Sequence, residues 1–179
     1  NDWSTSGGRA LTVIKNFSAI EGVNNVIFQT YPAGGVDVVG VSTLKLSAHA
    51  IDAGADTTIK LWAKNGDGVW RDAGATVIAV EGLELSIDVS DLDLLQGFGL
   101  QIENFDTASS NAKFHLDNVR LDDTVLFDFE GTGEWEFQVN WSPAAGLQLA
   151  SEWTVNGDSS LSGMTQLVEG DNNIILQTY

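Results

Sequence analysis

The sequence predicts an all-β chain folded as an antiparallel β-sandwich, and three observations carry that prediction. Short runs rich in Val, Ile, Leu and Thr alternate apolar and polar positions with the two-residue period of a strand. Turn-forming clusters separate them: the chain holds 19 Gly but only 2 Pro, and "PAGG", "DAGAD", "NGDG" and "DTASSN" stand between neighbouring runs. No stretch sustains a 3.6-residue apolar period; "SDLDLLQGFG", Ser90 to Gly99, offers one helical turn at most.

Taken in order, strands are expected at Val26–Tyr31, Val36–Val41, Leu44–Ile51, Thr58–Lys64, Thr76–Val80, Leu83–Val89, Gly99–Glu103, Lys113–Leu121 and Leu126–Glu130. The first ends at "PAGG" and the third at "DAGAD". The fourth runs into "KNGDGVW", whose Gly and Asn favour a tight hairpin. Only "DDT", Asp122 to Thr124, separates the last two runs, a connection suited to a hairpin and too short for a flexible linker. Strand phase follows from alternation. Ile59, Leu61 and Ala63 turn inward, which points Lys60, Trp62 and Lys64 outward. By the same rule Leu100 and Ile102 face in while Gln101 and Glu103 face out, and Leu46 and Ala48 face in while Ser47 and His49 face out.

Composition narrows the function. At 43% hydrophobic residues the chain can bury a core, which excludes global disorder. Its 25 Asp and Glu against 8 Lys and Arg leave a net charge of −17, which repels phosphate backbones and anionic membranes. Neither nucleic acid nor a membrane is an expected partner. Such a surface suits divalent cations, salty surroundings or neutral ligands, and it also keeps a protein soluble. There is no Cys, so disulfides and thiolate metal sites are excluded. No run approaches the roughly 18 apolar residues of a membrane helix. The chain starts without Met and shows no signal peptide, which reads as a mature or trimmed piece. The expected setting is a secreted or cell-surface protein.

One segment occurs twice. Glu21 to Tyr31 reads "EGVNNVIFQTY" and Glu169 to Tyr179 reads "EGDNNIILQTY", eight of eleven positions identical. Upstream, "DWSTSGGRAL" at Asp2 to Leu11 matches "EWTVNGDSSL" at Glu152 to Leu161. The two Tyr lie 148 positions apart and Trp3 and Trp153 lie 150 apart, so one two-residue insertion reconciles them. A period near 150 is that of a domain, not of a solenoid. The expected organisation is therefore a sandwich over 1–149 with its opening strand supplied by 126–131. Residues 150–179, a duplicate of 1–31, begin a second repeat. The strand order is rotated, and the tail is surplus unless it displaces the head or pairs with another molecule.

A strand "FDFEG", a following Trp, then "W…G..SL", a central "IKLWAKNGDGVW" and a closing "HLDNVRL" together resemble the galactose-binding-like β-sandwich. This is the jelly-roll of many carbohydrate-binding modules attached to β-mannanases and related polysaccharide hydrolases. The resemblance implies a non-catalytic domain that holds an enzyme or a cell on a glycan. It also implies a structural calcium ion (Ca2+) between the first and last strands, with Asp128 and Glu130 of "FDFEG" and Asp117 of "LDNV" at the matching positions. Backbone carbonyls would complete so oxygen-rich a site.

The residues themselves agree with a binder. His49 and His115 are the only histidines, and neither HExxH nor GxSxG occurs, so no enzymatic activity is expected. Paired carboxylates abound in so acidic a chain, but none lies in an evidently buried context. Six Trp, at 3, 62, 70, 135, 141 and 153, are many for this length, and all but Trp62 stand beside Asn, Asp or charged residues. Indole faces stack on the apolar C–H patches of pyranose rings, while amides and carboxylates bind the hydroxyls. Trp62, Gln101, Glu103 and His49 form one polar, aromatic surface if their strands share a sheet, and Trp70 and Trp135 join them as candidate ligand contacts. The expected function is a carbohydrate-binding module for a neutral β-linked polysaccharide such as mannan. The alternative is a structural or adhesive tandem-repeat domain that self-associates head to tail through 150–179. "NFS" at Asn16 and "NWS" at Asn140 match the glycosylation sequon, a pattern that chance supplies readily.

Overall fold

The structure is a computed structural model. It describes residues 10–15, 25–78, 82–106, 112–129, 135–143, 147–150 and 160–165. Fifteen strands account for most of them: β1 Ala10–Lys15, β2 Asn25–Thr30, β3 Val36–Asp37, β4 Thr43–Ile51, β5 Thr58–Asn65, β6 Trp70–Asp72, β7 Thr76–Val77, β8 Leu83–Asp88, β9 Leu94–Glu103, β10 Ala112–Leu121, β11 Thr124–Phe127, β12 Trp135–Val139, β13 Ser142–Pro143, β14 Leu147–Ala150 and β15 Ser160–Thr165. Among the described residues there is no helix, and so none long and apolar enough to cross a membrane.

Two sheets result. Sheet I has the order β14-β15-β1-β10-β4-β8, with β11 on β10; sheet II has the order β13-β12-β2-β9-β5-β6, with β3 on β9 and β7 on β5. The long strands alternate between the sheets along the chain: β1, β4, β8 and β10 in sheet I, β2, β5, β9 and β12 in sheet II. That alternation makes the sandwich a jelly-roll. Every pairing is antiparallel except a single parallel bridge between β1 and β15.

Alternation builds the core. Leu44, Leu46 and Ala48 of β4, Leu85 and Ile87 of β8, and Phe114 and Leu116 of β10 face Val26 and Phe28 of β2, Ile59, Leu61 and Ala63 of β5, and Phe98, Leu100 and Ile102 of β9. Burying each large side chain contributes about 1.5–3 kcal/mol, so a one-residue slip of any strand would forfeit several of these at once. The β10–β11 hairpin forms at "DDT", with Leu121 opposite Thr124 and Val119 opposite Phe127. Asp122 locks this turn to the start of β4: its carboxylate accepts from the Ser42 and Thr43 backbone N–H groups and from Thr43 Oγ1, at 2.9–3.2 Å. Those bonds favour the charged form and lower the Asp122 pKa. The "NGDG" hairpin also forms, with Lys64 opposite Trp70 and Trp62 opposite Asp72.

Thr76–Val80 is strand over Thr76–Val77 and Leu126–Glu130 gives way to a strand over Thr124–Phe127, and two further stretches depart more widely from the sequence expectation. Residues 94–98 are strand rather than a helical turn. A register shift at Lys64/Asn65 places Asn65 opposite Leu95 and Lys64 opposite Gly97. This bulge turns both Leu95 and Phe98 inward, and their three-residue spacing imitates a helix. The run at Val36–Val41 is strand only over Val36–Asp37. Val38 is buried, its N–H donates to the Asp93 carbonyl, and the chain turns back through a bond from Val41 N–H to the Val38 carbonyl.

Candidate functional site

The face of sheet II turned away from the core carries the most distinctive chemistry. Cross-strand register arranges it in rows. Glu136, Gln29, Gly99, Trp62 and Asp72 form one; Gln138, Ile27, Gln101 and Lys60 the next; Asn25, Glu103 and Thr58 a third. At the other end Gly97 lies between Tyr31 and Lys64, and Lys64 is paired with Trp70.

The two glycines of β9 make the middle of this face bare. A Cβ on Gly97 would run into the Tyr31 ring, and one on Gly99 would run into the Phe28 carbonyl oxygen. Both positions therefore exclude any side chain through close approach, not through a special φ. Over this floor stand three rings. Trp62 stacks on Trp70 with centroids 4.3 Å apart and planes 15° from parallel, and Tyr31 leans against Trp62 at 6.1 Å. Lys64 Nζ lies 5.6 Å from the Tyr31 centroid, a cation–π distance.

Exposure separates their roles. Trp62 is 0% exposed although it is on the outer face, whereas Trp70 is 37% and Tyr31 38% exposed. Trp62 is a pedestal, and Trp70 and Tyr31 present accessible ring faces. Trp70 Nε1 donates to Asp72 Oδ2 at 3.2 Å, and Asp72 Oδ1 accepts from the Gly74 N–H at 2.9 Å. The Gly74 bond, then the Trp70 bond, lower the Asp72 pKa, so an ionised acceptor fixes the indole's tilt. The Trp62 N–H is buried and meets no acceptor among the described residues.

Polar groups surround the rings. Gln29 Nε2 donates to Glu136 Oε2 at 2.9 Å, Gln101 Nε2 donates to Glu103 Oε1 at 2.8 Å, and Lys60 Nζ lies 3.9 Å from Glu103 Oε2. Burial raises the Glu136 pKa, and the Gln29 bond opposes it only in part. Burial, and then the charge of Glu136, raise the Tyr31 pKa and keep its phenol a neutral donor.

The structure thus brings together Trp62, Gln101, Glu103 and Trp70. It does not bring His49 or Trp135. His49 is on β4 in sheet I, opposite His115 of β10, because β4 and β5 belong to different sheets. Trp135 is 4% exposed and turned into the core, where Phe98, Phe127 and Phe129 surround it at 5.4–5.9 Å. The polar neighbour Glu136 had suggested an open site, but alternation points Glu136 out and Trp135 in. Tyr31, Gln29, Lys60, Asp72, Glu136 and Gln138 join the site; the phase of "NVIFQTY" and "WEFQV" is the signal that finds Tyr31, Gln29, Glu136 and Gln138, and the phase of "TIKLWAKN" finds Lys60. Glu136 also corrects the expectation that no acid is buried in a context that raises its pKa. Trp141 stands apart, 59% exposed, at the tip of the β12–β13 hairpin with φ +66°.

The calcium expectation is incomplete. Asp117 is buried on β10 with Oδ1 accepting from the Asn118 N–H at 2.7 Å, Asp128 is exposed beyond β11, and Glu130 lies outside the described residues, as do Trp3 and Trp153. Among the described residues no three His, Cys, Asp or Glu gather as metal ligands.

No protein-family model matches this chain, and no curated protein matches it. Among solved structures it is similar to a mitogen derived from Yersinia pseudotuberculosis, at 19% identity and a TM-score of 0.43, over 68% of this chain and 93% of that one.

Proposed function

We propose that this chain is a non-catalytic carbohydrate-binding module for a neutral β-linked polysaccharide such as mannan, acting within a secreted or cell-surface protein. The observation that carries the reading is the stack of Trp70 on Trp62 beside Tyr31, over the bare glycine floor of β9. A sugar ring laid on Trp70 or Tyr31 buries its C–H face on the ring, and hydroxyls at its rim meet the carboxylates and amines of Asp72, Glu103, Lys60 and Lys64. Charges of both signs on this rim suit a neutral ligand better than an ionic one.

Affinity electrophoresis through gels containing soluble β-mannan or β-glucan tests this. The wild-type chain is expected to be retarded and Trp70→Ala and Tyr31→Ala to be retarded distinctly less, with melting temperatures near that of the wild type. Free migration of the wild-type chain in every neutral polysaccharide, or unaltered retardation of both variants, rejects the reading. A second reading, a structural or adhesive tandem-repeat domain, draws on the duplicated segment and the strands it forms.

A further inference from the structure

The duplicated segment contributes two copies of one strand to the same sheet. β1 and β15 are repeat equivalents at an offset of 150, as Leu11 and Leu161 show. Both pair antiparallel with β14, and the registers coincide. Leu149 lies opposite Leu11 of β1 and also opposite Leu161 of β15; Gln148 lies opposite Thr12 and also opposite Ser162. Each of those two pairs of partners is related by the repeat offset. Ala10 and Ser160, paired with each other in the parallel bridge, are related in the same way.

Register in a sheet is set by the pattern of the strands, and a one-residue slip inverts every side chain. β14 therefore accepts either copy without a slip. β10 holds β1 along Leu11–Lys15 and β14 holds it along Ala10–Val13. In the sheet both β15 and β1 stand between β14 and β10, and β14 pairs with each of them, so the chain owns two strands of matching register for one partner strand.

We infer that the place of β1 is exchangeable between molecules: β15 of one chain enters between β10 and β14 of a second copy and displaces that copy's β1. The donated strand and the accepting place are different surfaces, so the association is head to tail and runs on to rings or filaments. The occupant is a second copy because the fit depends on the repeat itself: β15 meets β14 at the same two residues, Gln148 and Leu149, that meet β1. This inference is independent of sugar binding.

Since the chain has no Cys, introduced thiols report the exchange directly. One batch carries Gln148→Cys and another Ser162→Cys; they are mixed over a range of concentrations and mildly oxidised. A covalent heterodimer is expected, increasing with concentration and at least tenfold above a control mixture of Gln148→Cys with Asp123→Cys, whose thiol is on an exposed turn. If the mixture stays at the control level throughout, while a chain carrying both Gln148→Cys and Ser162→Cys closes on itself, the inference fails. Sedimentation of the unmodified chain provides the second measurement. The weight-average mass is expected to at least double from its 19.1 kDa monomer value as concentration rises, and Leu161→Pro, which breaks β15, should return it to the monomer. A single monomeric species at all concentrations overturns it.

Discussion

The outer faces of the two sheets arise from the same alternation and end in opposite chemistry. On sheet II the outward positions hold Tyr31, Trp62 and Trp70 beside two glycines, with accessible rings and a rim of mixed charge. On sheet I the outward positions of β4 and β10 hold Ser47, His49, His115 and Asp117, with the two imidazoles 5.3 Å apart and His115 and Asp117 almost wholly buried. Exposed aromatic rings can be lent to a ligand, whereas buried ionisable groups are committed to their own fold. The difference teaches that an outward phase alone does not make a site; accessibility decides.

The sharpest test is the pedestal. Trp62→Ala removes a fully buried indole and should cost about 3–5 kcal/mol of stability, together with polysaccharide retention, because Trp70 loses the ring it stacks on. Urea unfolding of this variant against Trp70→Ala measures the contrast; equal stabilities would erase the division into pedestal and platform.

Next in size is acid sensitivity on sheet I. Burial, then the neighbouring His49 and Lys113, push the His115 pKa down to about 3. The unfolded chain takes up this proton near the ordinary value of 6.5 and the folded chain does not. The stabilising contribution is therefore intact above pH 6.5 and declines on acidification toward pH 3, by about 1.4 kcal/mol per unit or about 2–3 kcal/mol by pH 4.5. In His115→Gln that part of the pH dependence should vanish from unfolding curves measured between pH 7 and 4.5.

On sheet II, Trp70→Ala should lower polysaccharide affinity about tenfold, equivalent to about 1.4 kcal/mol, and leave the melting temperature near that of the wild type. Isothermal titration with a soluble oligosaccharide reads the first quantity and calorimetry the second. The smallest effect concerns Glu136. Burial raises its pKa, so ionisation opposes folding above the raised value, and this penalty fades as pH falls toward the ordinary 4.5. Glu136→Gln keeps an acceptor for Gln29 and should raise Tm at pH 7 by about 2 °C, an advantage that disappears in melts at pH 4.5.

Much of the site was legible in the strand phases. "TIKLWAKN" and "GLQIE" assign Trp62, Gln101 and Glu103 to outward positions, and the same rule applied to "NVIFQTY" reaches Tyr31. What alternation does not contain is which strands become neighbours. His49 has the same outward phase as Trp62, yet the jelly-roll sends β4 and β5 to opposite sheets. The Leu95–Phe98 spacing misled for a related reason, since a bulge is a property of two paired strands and not of either one's sequence.

By itself the sequence determined the all-β class, the two tight hairpins at "NGDG" and "DDT", the inward and outward sides of the long strands, and the duplicated segment. These are local properties: a Cβ alternates from face to face, and turn residues act over four positions. Only the tertiary structure decided that Trp62 is sealed beneath Trp70, that Trp135 belongs to the core, that His49 stands with His115, and that β1 and β15 meet β14 in one register. Each of those depends on which strands hydrogen-bond side by side and how the sheets close on one another, a choice made by the burial of the whole core.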